Sequence, residues 1–175
     1  MTYLIRKAAR NDIPCLEKLL NVYMQESFQR TWEGTAQRLE QHGFGHEFEM
    51  LVAEAPDQEV VAFAAWGSSY DLHHCMKGGE VIDLYVCPSH RGQGVAMLLI
   101  ARIANEIQEH GGTYLRGQAL DNPVAQRLYQ RCAKCFPGAE CYVSGRAFRQ
   151  LAELSGKSVR EIVRHMPETA WNYEA

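Results

Sequence analysis

The sequence predicts an α/β domain (α+β by some schemes), and three observations predict it. Strand-like and helix-like segments interchange along the chain instead of falling into separate blocks. The run Val81-Ile82-Asp83-Leu84-Tyr85-Val86, rich in β-formers, passes through a glycine-containing turn into a helical run with apolar Val95, Leu98, Leu99, Ile103 and Ile107. At 175 residues, the chain is most simply one domain with room for a substantial core.

Each element follows from local pattern. Residues 3–8 read as a strand. Asn11 or Asp12 is placed to cap a helix with Pro14 in its first turn and Ile13, Leu16, Leu19, Leu20 and Tyr23 at its apolar positions. A polar and aromatic connection over 26–34 leads to a short helix over 35–42. Residues 47–55 and 59–68 form two strands around Pro56-Asp57, the pattern of a hairpin. A loop over 69–79, a strand over 80–87, a helix over 94–110 and a strand over 113–117 follow. A helix over 122–134 and a strand near 139–144 complete the order β-α-α-β-β-β-α-β-α-β. Further on, Phe148, Leu151 and Ala152 have helical spacing, and Ser158 with Glu161 offers a capping box for a last helix. Residues 1–144 are therefore expected to form the core, with 145–175 a helical extension packed on the same domain.

Composition sets outer bounds. A net charge of -3 without basic tails argues against an electrostatic grip on nucleic acid. Neither an apolar leader nor a membrane-length stretch is visible, so no membrane partner and a cytoplasmic location are expected. Six scattered cysteines fit a reducing compartment better than a disulfide framework. Cys132 and Cys135 form one CxxC without a second pair, and no metal site is expected from it.

The segment from Val86 to Ala96 carries the chemistry. A strand, a turn and a helix start form an anion cradle, because unpaired N–H groups and the positive helix end converge there. Gly92 and Gly94 allow close approach of backbone, and Arg91 adds a fixed charge, so a phosphorylated cofactor is expected. A P-loop would need Lys-Ser/Thr at the helix start, which is absent. A dinucleotide fingerprint would need a third glycine where Met97 stands and an acid in the following strand, and both are lacking.

Arg91, Gly94 and Ala96 give R-x-x-G-x-A, and Asn122, Ala125, Leu128 and Tyr129 give N-x-x-A-x-x-L-Y one helix and one strand downstream. Together these resemble the coenzyme A loop and the tyrosine helix of the GCN5-related N-acetyltransferase (GNAT) superfamily. The resemblance spans roughly residues 3 to 144 and is strongest over 80 to 130; the helical C-terminus departs from the final strand usual there. It implies a mixed, mainly antiparallel central sheet, splayed at an acetyl-CoA wedge and flanked by helices.

The resemblance also implies roles. Acetyl-CoA is the cosubstrate, held at Arg91, Gly92, Gln93, Gly94, Val95 and Ala96, with the backbone of Leu84, Tyr85 and Val86 along the pantetheine and Asn122 contacting the cofactor or starting its helix. Tyr129 is the general acid for the leaving thiolate, a chemistry suited to a phenol. Glu80 and Asp83 stand where different members place an acid. Asp83 ranks first as a contact to the acceptor, and Glu80 is the candidate base, directly or through water. Strand alternation sends the two to opposite faces, so they serve one site only if a bulge intervenes. The acceptor is expected near Tyr23, Glu26, Trp32 and Glu33, with Tyr70, Asp71, His73 and His74 further candidates, because aromatic faces with carboxylates suit a cation.

Acetyl transfer to a primary amine of a small cationic molecule is the leading reading. A protein, peptide or aminoacyl-tRNA acceptor and a non-catalytic acyl-CoA sensor are the alternatives. Homodimerisation is left open.

Overall fold

The computed structural model describes residues 3–118, together with 158, 164 and 165. The helix expected over 122–134, the strand near 139–144 and the C-terminal helices lie outside the described residues. The chain divides into two units, Met1–Cys132 and Ala133–Ala175.

The first unit is built on five strands: β1 (Leu4–Lys7), β2 (Glu49–Glu54), β3 (Val60–Asp71), β4 (Met76–Val86) and β5 (Tyr114–Gly117). They lie in sequence order across one sheet. The first three pairings are antiparallel, and β4 pairs β5 in parallel. The parallel step needs a crossover, supplied by helix α3 (Val95–Glu109). Two further helices, α1 (Ile13–Phe28) and α2 (Ala36–His42), fill the connection between β1 and β2. No helix among the described residues is long and apolar enough to cross a membrane.

Continuous apolar runs in β2 (Met50 to Ala53) and β3 (Val60 to Trp66) are buried on both faces, which is why each face carries helices. On one face Leu51, Ala64, Trp66 and Val86 pack against Val95, Leu99, Ile103 and Ile107 of α3. On the other, Val52, Phe63, Ala65 and Tyr85 pack against Leu16, Leu20 and Tyr23 of α1 and Leu39 of α2. Leu98, expected on the apolar face of α3, is 44% exposed; the buried position one turn from Ile103 belongs instead to Glu106. Its carboxylate is held by Arg102 at 3.0 Å and Lys7 at 3.3 Å.

Two expectations about the elements change. The segment read as a loop over 69–79 is mostly strand, because β3 and β4 form one long hairpin pairing as far as Asp71 and Met76. Gly78 and Gly79 are strand residues: a Cβ on Gly78 would collide with Tyr114, and one on Gly79 with Ile107. Asp12 immediately precedes α1 but does not cap it. Its carboxylate turns back to accept the Ala9 N–H at 2.7 Å and two bonds from Arg6 at 2.7 and 2.9 Å. The Arg6 guanidinium holds this carboxyl below the usual range. The second helix is capped by Thr35, whose Oγ1 accepts the Arg38 N–H at 3.2 Å.

The close approach at Gly79 yields a stability test. Gly79→Ala should cost about 1–3 kcal/mol by overpacking, read as a lower urea midpoint at unchanged slope. Ile107→Val removes the Cδ1 nearest to the added methyl and should recover part of that loss in the double variant.

Candidate active site

The anion cradle expected after Val86 has a backbone suited to it. A single 3-10 turn, Pro88–His90, leads to Gly92 and Gly94, whose φ angles of +75° and +83° fall where glycine is the comfortable residue. An added Cβ would meet nothing within 4 Å at either position, so bare backbone faces open space. Gly94 caps α3, and the Leu98 N–H makes the first helical bond to its carbonyl at 3.1 Å. The preceding N–H groups of the first turn therefore point out of the helix start, where its dipole is positive. These features fit a pyrophosphate-sized anion. Val95 is buried in the core and anchors the helix. Tyr3 holds the loop from below, donating to Gln93 Oε1 at 2.8 Å and lying 3.0 Å from His90 Nδ1.

Arg91 is engaged within the chain. Its guanidinium forms a two-pronged pair with Glu26 at 2.6 and 2.8 Å, donates through Nε to the Val86 carbonyl at 2.8 Å, and lies 5.4 Å from the Tyr85 ring centroid. The Tyr85 hydroxyl donates to the same Glu26 carboxylate at 3.2 Å. Arg91 keeps the Glu26 carboxyl below its usual range, and burial, followed by the Glu26 charge, pushes the Tyr85 hydroxyl up to about 12. Glu26 was expected beside the acceptor in a connecting segment. It sits instead in the last turns of α1, tied to Arg91, because the helix runs on to Phe28.

The bulge that the two acids required is present in β4. Ala65 and Trp66, adjacent on β3, pair with Asp83 and Val81, so Ile82 is the surplus residue. Glu80 pairs with Gly67 and Asp83 with Ala65, two residues apart on β3, which puts both acids on the face covered by α1 and α2. They are not equivalent there. Glu80 is held by Arg116 through bonds of 2.9 and 2.7 Å. Asp83 accepts the Tyr23 hydroxyl at 2.6 Å, and burial pushes its carboxyl above the usual range while that bond pulls the other way. The ladder between β4 and β5 ends at Val81 and Gly117, whereas β4 runs on through Asp83 to Val86. Past that point Asp83 and Tyr85 face α1, and Leu84 and Val86 face α3.

Asp83 opens into a cavity of about 260 Å³ between α2 and the sheet. Trp32, Leu39 and Ile82 supply apolar wall, and Arg38, His42 and Asp83 supply its polar groups. Trp32 thus joins Asp83, and Tyr23 reaches the cavity through its bond to Asp83. Tyr70, Asp71, His73 and His74 are not brought there. They occupy the tip of the β3–β4 hairpin, where His74 pairs with Asp71 at 2.8 Å. Asp83 lies seven strand steps from Met76, about 23 Å. Glu33 is exposed, and Asn122 and Tyr129 lie outside the described residues. No group of three or more potential metal-binding side chains occurs among the described residues. Arg38 and His42 were missed because exposed polar residues on a short helix give no local signal.

A mixed sheet, a crossover helix that opens on a glycine cradle, and a carboxylate lining a cavity on the strand that leads to that cradle fit an acyl-group transferase. The chain belongs to the acetyltransferase (GNAT) family, whose model matches residues 14–133. Acetyltransferases of this family use acetyl-CoA. Among curated relatives, the thialysine N-epsilon-acetyltransferase of Mus musculus is 26% identical over 168 residues, covering 90% of this chain and 95% of the relative. That of Bos taurus is 29% identical over 164 residues, covering 85% and 96%. Among solved structures, the ribosomal-protein-alanine N-acetyltransferase of Brucella melitensis biovar Abortus 2308 superposes with a TM-score of 0.69 at 24% identity, covering 83% of this chain and all of that one. The aminoglycoside 6'-N-acetyltransferase AAC(6')-Ih of Acinetobacter baumannii superposes at 0.65 and 15% identity, covering 83% of this chain and 99% of that one. These two show the shared fold.

The raised carboxyl of Asp83 has a thermodynamic consequence. The folded state keeps this proton to higher pH than the unfolded chain, so the associated stability is full below the ordinary aspartate value and is lost as pH rises through the raised one. Asp83→Asn keeps an acceptor for the Tyr23 hydroxyl and removes that loss. Its Tm should exceed the parent's at pH 7 by about 3 °C, and the gain should vanish near pH 3.5.

Proposed function

We propose that this acyltransferase moves an acetyl group from acetyl-CoA to a primary amine on a small cationic molecule by direct transfer. One observation carries the reading: Asp83 is a carboxylate in a largely apolar cavity, on the part of β4 that continues past its pairing with β5. Bound acetyl-CoA supplies the acetyl group activated as a thioester. The N–H groups at the start of α3 and the backbone of Gly92 to Gly94 would hold its pyrophosphate, and the backbone of Leu84 to Val86 its pantetheine.

Asp83 attracts the acceptor's ammonium, and a carboxyl displaced upward is better matched to removing a proton near neutrality. Asp83 takes one proton from the ammonium to free its lone pair, the nitrogen gains the C–N bond as the C–S bond breaks, and the second proton it sheds replaces the one given to the thiolate. Tyr129 is assigned the proton returned to the leaving thiolate, and Asn122 the start of its helix; both assignments rest on the sequence motif. Glu80 shares the face of Asp83, but Arg116 draws on its charge, so it serves at most through water. The relatives named for the ε-nitrogen of thialysine support an amine at the end of a short, mostly apolar chain, which suits the walls of the cavity.

Thiol release from acetyl-CoA, measured against amino acids, polyamines, aminoglycosides and short peptides, tests the proposal. Turnover with a small amine supports it, and turnover with peptides alone moves the assignment to a protein acceptor. Acetyl-CoA binding without any turnover means a sensor. Tyr129→Phe should slow turnover by about 10²-fold while the acetyl-CoA Kd, read by calorimetry, stays within twofold by order of magnitude.

The pairing of Arg91 with Glu26 makes a further expectation. Pyrophosphate must compete with Glu26 for this guanidinium, and the carboxylate itself repels an anionic cofactor. Glu26→Gln should therefore tighten coenzyme A by about two- to fivefold at low salt, with the difference shrinking at 0.5 M NaCl, a roughly 4 Å screening length.

A further inference from the structure

The cavity at Asp83 has a second polar wall for which the transfer step has no use. Arg38 and His42 lie four residues apart on α2, hence on one face of the helix, and both line the cavity. The Arg38 backbone is fixed by its N–H bond to Thr35 at the helix start. Its side chain takes part in none of the ion pairs among the described residues, although Glu40 on the same helix pairs with Arg10. Asp83, on β4 across the cavity, already has the Tyr23 hydroxyl as its partner. Trp32, Leu39 and Ile82 line the same cavity.

A carboxylate on one element, a guanidinium without an ion-pair partner among the described residues on another, and apolar surface in the same cavity are complementary to a molecule with an ammonium at one end and an anion at the other. An acceptor whose amine meets Asp83 must present its remainder to this space. A polyamine would set its next ammonium near Arg38, a like-charge encounter, whereas a carboxylate would gain a planar, two-pronged partner. The volume of about 260 Å³ lies below the ~300 Å³ at which pockets for drug-sized ligands begin, so a single short chain fits better than a multi-ring cation.

We infer that Arg38 is a specificity-determining residue that reads a carboxylate on the acceptor, and that the acceptor class is an amino acid carrying a terminal side-chain amine. The inference rests on the proposed acetyl transfer with Asp83 as partner of the amine.

The test compares thialysine and lysine with their decarboxylated diamines, using the parent, Arg38→Ala and Arg38→Glu. The parent should favour the amino acids by about tenfold in kcat/KM. Arg38→Ala should abolish that preference through KM, with kcat little changed and the diamines unaffected or improved. Arg38→Glu should reverse it. A parent that prefers the diamines, or an Arg38→Ala variant that weakens both classes equally, overturns the inference. Calorimetric Kd values for the same amines, taken with coenzyme A present, separate this result from the underlying reading. Binding that favours the amino acid in the parent and loses that preference in Arg38→Ala, without acetyl transfer, overturns the transfer reading and upholds the role of Arg38. Equal Kd values in the parent overturn that role.

Discussion

Between Val81 and Asp83, β4 carries one residue more than β3 can pair, and the place of that extra residue decides which side chains meet the cavity. Val81 packs in the core under α3. Had alternation continued unbroken from it, Asp83 would point into the same core among leucines and isoleucines, where an unpartnered carboxylate costs several kcal/mol on the order given by transfer data. The bulge turns the C-terminal half of the strand over. Asp83 and Tyr85 then face α1, Leu84 and Val86 take the apolar face, and Tyr23 is in position to satisfy the carboxylate. The orientation of Asp83 toward the cavity and the packing of β4 are thus two results of a single local irregularity.

A chain of hydrogen-bond, ring and ion-pair contacts runs from this face of the sheet to Arg91 beside the cradle at α3. Asp83 is bonded to Tyr23, and the Tyr23 ring lies 5.8 Å from that of Tyr85. Tyr85 donates to Glu26, and Glu26 holds Arg91. Helix α1 is therefore common to both halves of the site: its buried face supplies the partner of Asp83, and its last turns supply the partner of Arg91.

Much of the fold was legible because its signals are local. The apolar spacing of Leu16, Leu19, Leu20 and Tyr23 marks α1, Thr35 marks the start of α2, and the change from alternation to helical period around Gly92 and Gly94 marks the cradle. The length of the β3–β4 hairpin was not legible. Gly78-Gly79 has the composition of a turn, yet the reason for glycine there is the bulk of Ile107 and Tyr114, about thirty residues downstream. The bulge itself leaves no trace in composition; the sequence identified both acids and the condition under which they share a face, but not that the condition holds. The pairing of Glu26 with Arg91 was not legible, because α1 outlasts its apolar pattern by a turn and Arg91 lies 65 residues away. Arg38 gave no signal because its setting is created by β4, not by its own helix.

The link from Tyr3 to the cradle carries a consequence for how the molecule is assembled. The bonds to His90 and Gln93 join positions 87 and 90 residues apart, so nothing local brings them together. Closing so long a loop carries an entropic cost that the successive strand pairings must offset first. During synthesis the first strand leaves the ribosome long before the segment it will steady, and waits for the β2–β3 and β3–β4 hairpins to carry that segment to it. The contact between Tyr3 and the cradle therefore depends on the whole meander, so a lost strand pairing far from the cradle is enough to loosen it without touching any of its residues.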